Sequence, residues 1–335
     1  MIHAAIVGCG AIHDYHANAI EKVDGAQVYA VCDIDATAAQ KAAETYSCKA
    51  YTDYRDVLGD PEIHTVHICT PHYLHSEMAI AALRAGKDVL CEKPMCISVA
   101  EAEQLRLVCE ETGRRFGVCF QNRYNITSRQ AKELLDSGEL GAVLGAKAIC
   151  IWERNAAYYA QAEWRGCWAT EGGGVLINQS IHTLDLVQWL LGDIESISGH
   201  TRTAKLYNEI EVEDTADAFI VFKSGAQCVF FSSNCHISTA PALIEVTTER
   251  GHLQILEREL LWTPRDGRPE SIARAEAATG PKAVYGIGHN ALIHDFYEGL
   301  KTGASFPINA QEGAKSIRLI HALYRSSAMG RPTVM

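Results

Sequence analysis

Short, nearly continuous apolar runs at residues 2–7, 27–32, 65–69, 88–91 and 116–120 read as buried strands. Helical stretches separate them: from His13 to about residue 23, over 35–46, from Thr70-Pro71-His72 to near Gly86, and from Ser98 to about 112. Ser98 and Glu101 make a capping-box pattern at the start of the last. Strand and helix alternating in this way predict a parallel sheet with helices on both faces. In such sheets ligands sit beyond the carboxyl ends of the strands, where Thr70-Pro71, Glu92-Lys93-Pro94 and Gln121-Asn122 fall.

After Arg123 the pattern changes. A helix over 128–137 leads into strand-like runs at 143–152, 196–203, 215–222, 227–233, 243–248 and 252–256, with tight turns such as 223–225 and 249–251. Residues 264–288, rich in charge, Gly and Pro, read as a loop, and closing helices are expected over 289–300 and 310–327. The expectation is an α/β chain of two domains. Residues 1–122 form a doubly wound parallel sheet, and residues 123–335 an α+β domain with a large, mostly antiparallel sheet. One face of that second sheet is free for a partner or another subunit. A helix is also predicted from about Val175, apolar on nearly every side except for Asn178, His182 and Asp185, which share one arc. A buried polar stripe must meet a partner, a ligand or water.

Composition narrows the classes. Of 335 residues, 47% are hydrophobic and 21% charged, as in ordinary globular proteins. The net charge of −11, with no basic stripe, argues against nucleic acid as a partner. No apolar run reaches membrane-spanning length and no basic leader precedes a long apolar segment, so a cytoplasmic chain without membrane contact is expected. The twelve cysteines show no Cys-x-x-Cys and no zinc-type spacing. They read as reduced structural thiols, and no metal is expected.

The first candidate chemistry is a dinucleotide turn. Gly8-Cys9-Gly10-Ala11-Ile12 follows the first strand, and Asp33 ends the second, about 20 residues on. Gly8 permits a tight turn, Gly10 lets backbone approach a pyrophosphate, and Asp33 accepts from ribose hydroxyls. His13 stands where a third glycine is usual. Asp33 is followed by Ile34 and Asp35 rather than by a cation for a 2′-phosphate, which favours NAD over NADP. Gly172-Gly173-Gly174 marks a second close approach.

Together with His16, Thr70-Pro71 and His75, Glu92-Lys93-Pro94, Trp164-Arg165, and the run from Gly172 to His182 and Asp185, these features resemble the Gfo/Idh/MocA oxidoreductases along essentially the whole chain. The resemblance implies an N-terminal Rossmann domain and a C-terminal domain whose open sheet mediates homodimers or homotetramers. It implies hydride transfer between nicotinamide C4 and a carbinol carbon of a sugar or cyclitol, with Lys93 and His182 catalytic. Cofactor contacts are then expected from Gly8, Gly10, Ala11, Ile12, Asp33, Ile34, Thr70, Pro71, His72, His75, Glu92, Lys93, Gln121, Trp164 and Arg165. Substrate contacts are expected from Lys93, Arg123, Tyr124, Tyr158, Asn178, His182, Asp185 and His236. Two departures stand out: Asn178 replaces an aspartate found in many members, and His72 replaces an asparagine often seen after Thr-Pro. In the expected mechanism His182 takes the hydroxyl proton, Lys93 stabilises the developing oxyanion, and Asp185 fixes the tautomer of His182. Alternatives are an NAD-dependent glycosidase acting through transient oxidation and elimination, and a redox-silent NAD-binding regulator.

Overall fold

The computed structural model describes residues 1–256, 258–275 and 288–335. The chain divides into two compact units, Met1–Gln121 with His289–Ala314, and Asn122–Gly288 with Lys315–Met335. The first unit's leading segment ends at Gln121, one residue before the break expected after residue 122. The return of residues 289–314 to that unit was not foreseen.

The first unit runs β1 (Ile2–Val7), α1 (His13–Ile20), β2 (Ala26–Cys32), α2 (Ala36–Tyr46), β3 (Lys49–Tyr51), α3 (Tyr54–Gly59), β4 (Thr65–Ile68), α4 (His72–Arg84), β5 (Asp88–Cys91), α5 (Val99–Thr112) and β6 (Phe116–Val118). Its sheet is parallel throughout, in the order β3-β2-β1-β4-β5-β6. Strand order reverses at β1/β4, the point where open α/β sheets bind ligands. Ala4, Ala5, Ile6, Ile68, Leu90 and Cys91 are all fully buried, because helices cover both faces and leave no solvent side to alternate toward. Ser98 caps α5 as its sequence implies, accepting from the Glu101 N–H while Glu101 reaches back to the Ser98 hydroxyl.

The second unit contains α6 (Ile126–Asp136), β7 (Val143–Ile151), α7 (Ala156–Tyr159), α8 (Trp168–Glu171), α9 (Ile181–Leu191), β8 (Ile194–Arg202), β9 (Thr215–Phe222), β10 (Gln227–Ser233), β11 (Leu243–Thr248), β12 (Gly251–Leu256), β13 (Glu259–Pro264) and β14 (Glu270–Arg274). The chain closes with α10 (Gly288–Thr302), α11 (Ala310–Met329) and β15 (Thr333–Val334). The second sheet has the order β14-β13-β12-β11-β7-β10-β9-β8-β15. Every pairing in it is antiparallel except β7 with β10. Along β9 and β10 burial alternates: Ala218, Ile220, Cys228 and Phe230 point inward, while Phe219 and Val229, paired across the strands, are exposed.

Two expectations need correction. Residues 270–274 form strand β14 rather than loop. Its charged, exposed sequence at the sheet edge carries no inward-facing apolar alternation to betray it. Residues 276–287 of the expected loop lie outside the described residues. Helix α9 starts at Ile181, six residues later than expected. Residues 175–180 are buried turns, apolar because they lie in the core and not because they are helical. The stripe of Asn178, His182 and Asp185 is therefore a turn residue followed by two helical ones. Among the described residues no helix is long and apolar enough to cross a membrane. None of the twelve cysteines is in a disulfide.

Candidate active site

In the first unit the glycine turn is held from both sides. The Cys9 N–H donates to Asp33 Oδ2 at 2.8 Å and the Asp35 N–H to Oδ1 at 2.9 Å, which ties the turn to the end of β2. Gly8 has φ +100°, and a Cβ there would stand 2.6 Å from the Cys69 carbonyl oxygen, so the turn closes against the end of β4 only with glycine. A Cβ on Gly10 would meet nothing within 4 Å. That open space lies before the N-terminus of α1, whose cap Ile12 offers no side-chain acceptor. The N–H groups at this end suit a pyrophosphate. His13 fills the third glycine position without closing the turn, its Nδ1 folding back to the Gly10 carbonyl at 2.6 Å. Ala11 and Ile34 are exposed beside the turn, Ile34 at 93%. The residues present therefore fit a dinucleotide.

Around Lys93 the supporting groups are buried. Glu92 turns inward: Oε1 accepts from His16 Nε2 at 3.1 Å and lies 3.5 Å from His289 Nε2, while Oε2 accepts the Lys93 backbone N–H at 3.2 Å. Burial opposes ionisation of Glu92, but these imidazole contacts outweigh it and hold the carboxyl well below its usual range. Cys119 Sγ closes the cluster 4.0 Å from His16 Nε2. His75 is also fully buried, with Nε2 2.8 Å from the Thr70 carbonyl oxygen and Nδ1 2.6 Å from that of Pro94. Glu92 and His75 thus brace the ends of β4 and β5 around Lys93, which is itself half-buried. His72 is buried beside His75, with ring centroids 5.9 Å apart. Thr70 donates to Met78 Sδ at 3.7 Å. Gln121, at the end of this segment, is buried with its Oε1 making no hydrogen bond.

In the second unit His182 is 3% exposed and lines a cavity of about 210 Å³ together with Asn122, Ser128, Trp152, Gln179 and Thr239. The loop before it has no room for side chains. A Cβ on Gly174 would lie 1.9 Å from the Glu213 carbonyl oxygen, and one on Gly173 2.1 Å from the Tyr324 hydroxyl. Glu213 binds this loop through its carboxylate, which accepts from the N–H groups of Gly174 and Leu176, each at 3.0 Å, and from the Tyr324 hydroxyl at 3.0 Å. Burial pushes the Glu213 carboxyl up to about 7, although these donors pull it down.

The other expected substrate residues are distributed unevenly. Asp185 accepts from Arg123 Nε at 2.8 Å and Nη2 at 2.7 Å, and from Ser316 Oγ at 3.2 Å. Its carboxylate is engaged by a buried guanidinium, a partner that the sequence did not suggest. Tyr124 is buried under the Arg129 guanidinium at 4.4 Å. Asn178 donates to Glu171 Oε1 at 2.5 Å and to the Tyr158 hydroxyl at 3.4 Å. Trp164 lies beside Arg165, 5.4 Å from ring centre to guanidinium. His236 is exposed on the loop after β10. Sequence reasoning missed Glu171, Gln179 and Glu213. Glu171 had a usable signal, an acidic residue directly before Gly172-Gly173-Gly174 in an apolar context, whereas Glu213 sits in an acidic loop that reads as solvated.

Two family models match this chain. Residues 2–120 fit the oxidoreductase family with NAD-binding Rossmann fold, and residues 128–254 fit the GFO/IDH/MocA C-terminal domain. The chain belongs to the Gfo/Idh/MocA family. Its first unit is accordingly an NAD-binding Rossmann domain of an oxidoreductase. Among curated Gfo/Idh/MocA relatives, scyllo-inositol 2-dehydrogenase (NAD(+)) of Bacillus subtilis is 34% identical over 67% of this chain and 65% of its own. Inositol 2-dehydrogenase of Salmonella typhimurium is 28% identical over 74% of each. Among solved structures, the WlbA dehydrogenase from Bordetella pertussis, in complex with NADH and UDP-GlcNAcA, superimposes with a TM-score of 0.86 at 27% identity. That match covers 100% of this chain and 98% of the other.

Proposed function

We propose that this protein is an NAD-dependent dehydrogenase that oxidises a carbinol of a sugar, glycoside or cyclitol to a ketone, or runs the reverse reduction. The observation that carries the reading is His182, almost wholly buried yet lining a cavity, and preceded by a glycine loop that no other residue could form. Relatives acting on inositols, and one solved with a nucleotide sugar, support the substrate class.

Gly8, Gly10 and the first turn of α1 would hold the pyrophosphate, and Asp33 the adenosine ribose, its carboxylate disfavouring a 2′-phosphate. Bound NAD supplies the hydride acceptor. The hydroxyl proton must leave as the carbonyl forms, and His182 takes it and returns it in reduction. Lys93, its backbone fixed by Glu92, stabilises negative charge on the reacting oxygen. The exposed Phe219, Val229 and Leu144 on the outer face of the second sheet support assembly of like subunits through that face.

The test is NADH formation from a panel of cyclitols, hexoses and glycosides. Lys93→Ala and His182→Ala should each lower kcat roughly 10²- to 10⁴-fold, and retained turnover in both would overturn the assigned roles. Aglycone release without NADH accumulation would instead identify an NAD-dependent glycosidase.

A further inference from the structure

Side chains from four separate elements converge on Glu92. His16 lies on α1, Glu92 directly follows β5, Cys119 directly follows β6, and His289 stands at the start of α10. All four belong to the first unit and all are buried. His16 Nε2 is 3.1 Å from Glu92 Oε1, His289 Nε2 is 3.5 Å from the same oxygen, and Cys119 Sγ is 4.0 Å from His16 Nε2. The donor atoms of His16, Glu92 and Cys119 lie within 4.8 Å of one another, the one such group of His, Cys, Asp or Glu side chains among the described residues.

Hydrogen bonding accounts for only part of this cluster. His16 and Glu92 satisfy each other, but His289 is 4% exposed and neither of its ring nitrogens makes a hydrogen bond among the described residues. The spacing suits a metal ion. Around tetrahedral zinc, with bonds of about 2.0–2.3 Å, neighbouring ligand atoms stand about 3.3–3.6 Å apart. The three separations here bracket that range. Charge agrees, since a thiolate and a carboxylate together cancel a divalent ion and the filled site buries no net charge. Sulfur, nitrogen and oxygen donors in one set select zinc over magnesium or calcium.

The outer layer that orients ligating histidines is present as well. His16 Nδ1 lies 2.8 Å from His67 Nδ1, and His67 Nε2 lies 2.9 Å from the Tyr297 hydroxyl, itself 3.0 Å from Thr65 Oγ1. With His16 Nε2 on a metal, its Nδ1–H donates to His67, His67 Nε2–H donates to Tyr297, and the Tyr297 hydroxyl donates to Thr65. Each member of the chain then has a partner, and the His16 ring is fixed in the ligating tautomer.

We propose that His16, Glu92, Cys119 and His289 bind one zinc ion as a closed structural site. Four protein ligands leave no position open for water or substrate, so the ion pins the start of α10 to the ends of β5 and β6. No spacing in the sequence announces the site, because its donors are brought together only by the fold.

The experiment strips the full-length protein with a chelator, adds Zn²⁺ or Co²⁺, removes the excess by gel filtration and counts the metal by mass spectrometry. One zinc per chain should be retained, with a Kd below about 1 μM, and zinc should raise the melting temperature. Co²⁺ should show the visible bands of a tetrahedral ion and a near-ultraviolet thiolate-to-cobalt charge-transfer band. Cys119→Ser should abolish the charge-transfer band. Cys119→Ser and His289→Ala should each weaken zinc more than about 100-fold, beyond the loss expected for an outer-layer partner. His67→Phe, which removes such a partner, should weaken it only about 10- to 100-fold. A variant that melts lower even in chelator still tests the site, because the zinc-induced rise in melting temperature is read separately and should be lost. Twelve cysteines offer other places for a soft metal, so a charge-transfer band that survives Cys119→Ser marks adventitious binding and overturns the proposal. Failure to retain zinc, a melting temperature indifferent to it, or full affinity in His289→Ala would overturn it too.

Discussion

Replacing Asp185 by alanine should cost the second unit about 3–5 kcal/mol. Asp185 is 1% exposed and Arg123 6%, and two charge-assisted bonds of 2.7 and 2.8 Å join them. Burying both charges is expensive, and their attraction in the interior roughly repays that cost. Removing only the carboxylate leaves the guanidinium buried without its counter-ion, together with the Ser316 hydroxyl that also bonded there. In a unit of this size each kcal/mol moves the thermal midpoint by about 2–4 °C, so a fall on the order of 10 °C is expected. All five tryptophans (152, 164, 168, 189 and 262) lie in the second unit, and their fluorescence during urea or thermal unfolding reports on it alone. The control is Arg123→Met with Asp185→Leu. This pair removes both charges and should cost less than Asp185→Ala by itself. A loss below about 1 kcal/mol for Asp185→Ala, or a double variant as damaged as the sum of its singles, would refute the reasoning.

Two further outcomes follow from the loops. Gly10→Ala should leave the melting curve of the free protein unchanged, since its Cβ meets open space, yet weaken NADH binding about 10-fold or more in a fluorescence titration. Gly8→Ala should instead destabilise by a few kcal/mol, from φ +100° and the Cys69 carbonyl. For Glu213, a folded-state pKa of about 7 exceeds the ordinary carboxyl value, so the folded chain holds the proton more tightly than the unfolded one. Its stabilising contribution is therefore complete at acid pH and is lost as pH rises toward 7. Urea midpoints measured from about pH 5 to 8 should fall more steeply for the native protein than for Glu213→Gln, and parallel curves would exclude that role.

The first unit was legible because its physics is local. Strands buried on both faces must be continuous apolar runs, and the helices between them carry their own caps, as Ser98 and Glu101 do. The elements missed there, β3 and α3, are short and mostly exposed, so burial writes no period into them. Around the site, residue types were enough to set Gly8 in a tight turn, Asp33 at the end of β2 and His182 in a buried segment. They could not say which partner each polar group chooses. Whether Asp185 faces His182 or Arg123 depends on a residue more than sixty positions away. The inward turn of Glu92 likewise depends on His16 and His289, remote in sequence and joined only by the fold.

The return of residues 289–314 to the first unit has a consequence for biosynthesis. Phe296 and Tyr297 of α10 are fully buried in that unit, and the Tyr297 hydroxyl bonds Thr65 and His67 in its core. A nascent chain that has just exposed Gln121 therefore has all six strands of the Rossmann sheet but not the side chains that seal it. At about 5–20 residues per second, the ribosome needs on the order of ten to thirty seconds to make the intervening segment. During that interval the first-made domain waits with an open core, and His67 and Thr65 remain without their tyrosine until residue 297 has been made.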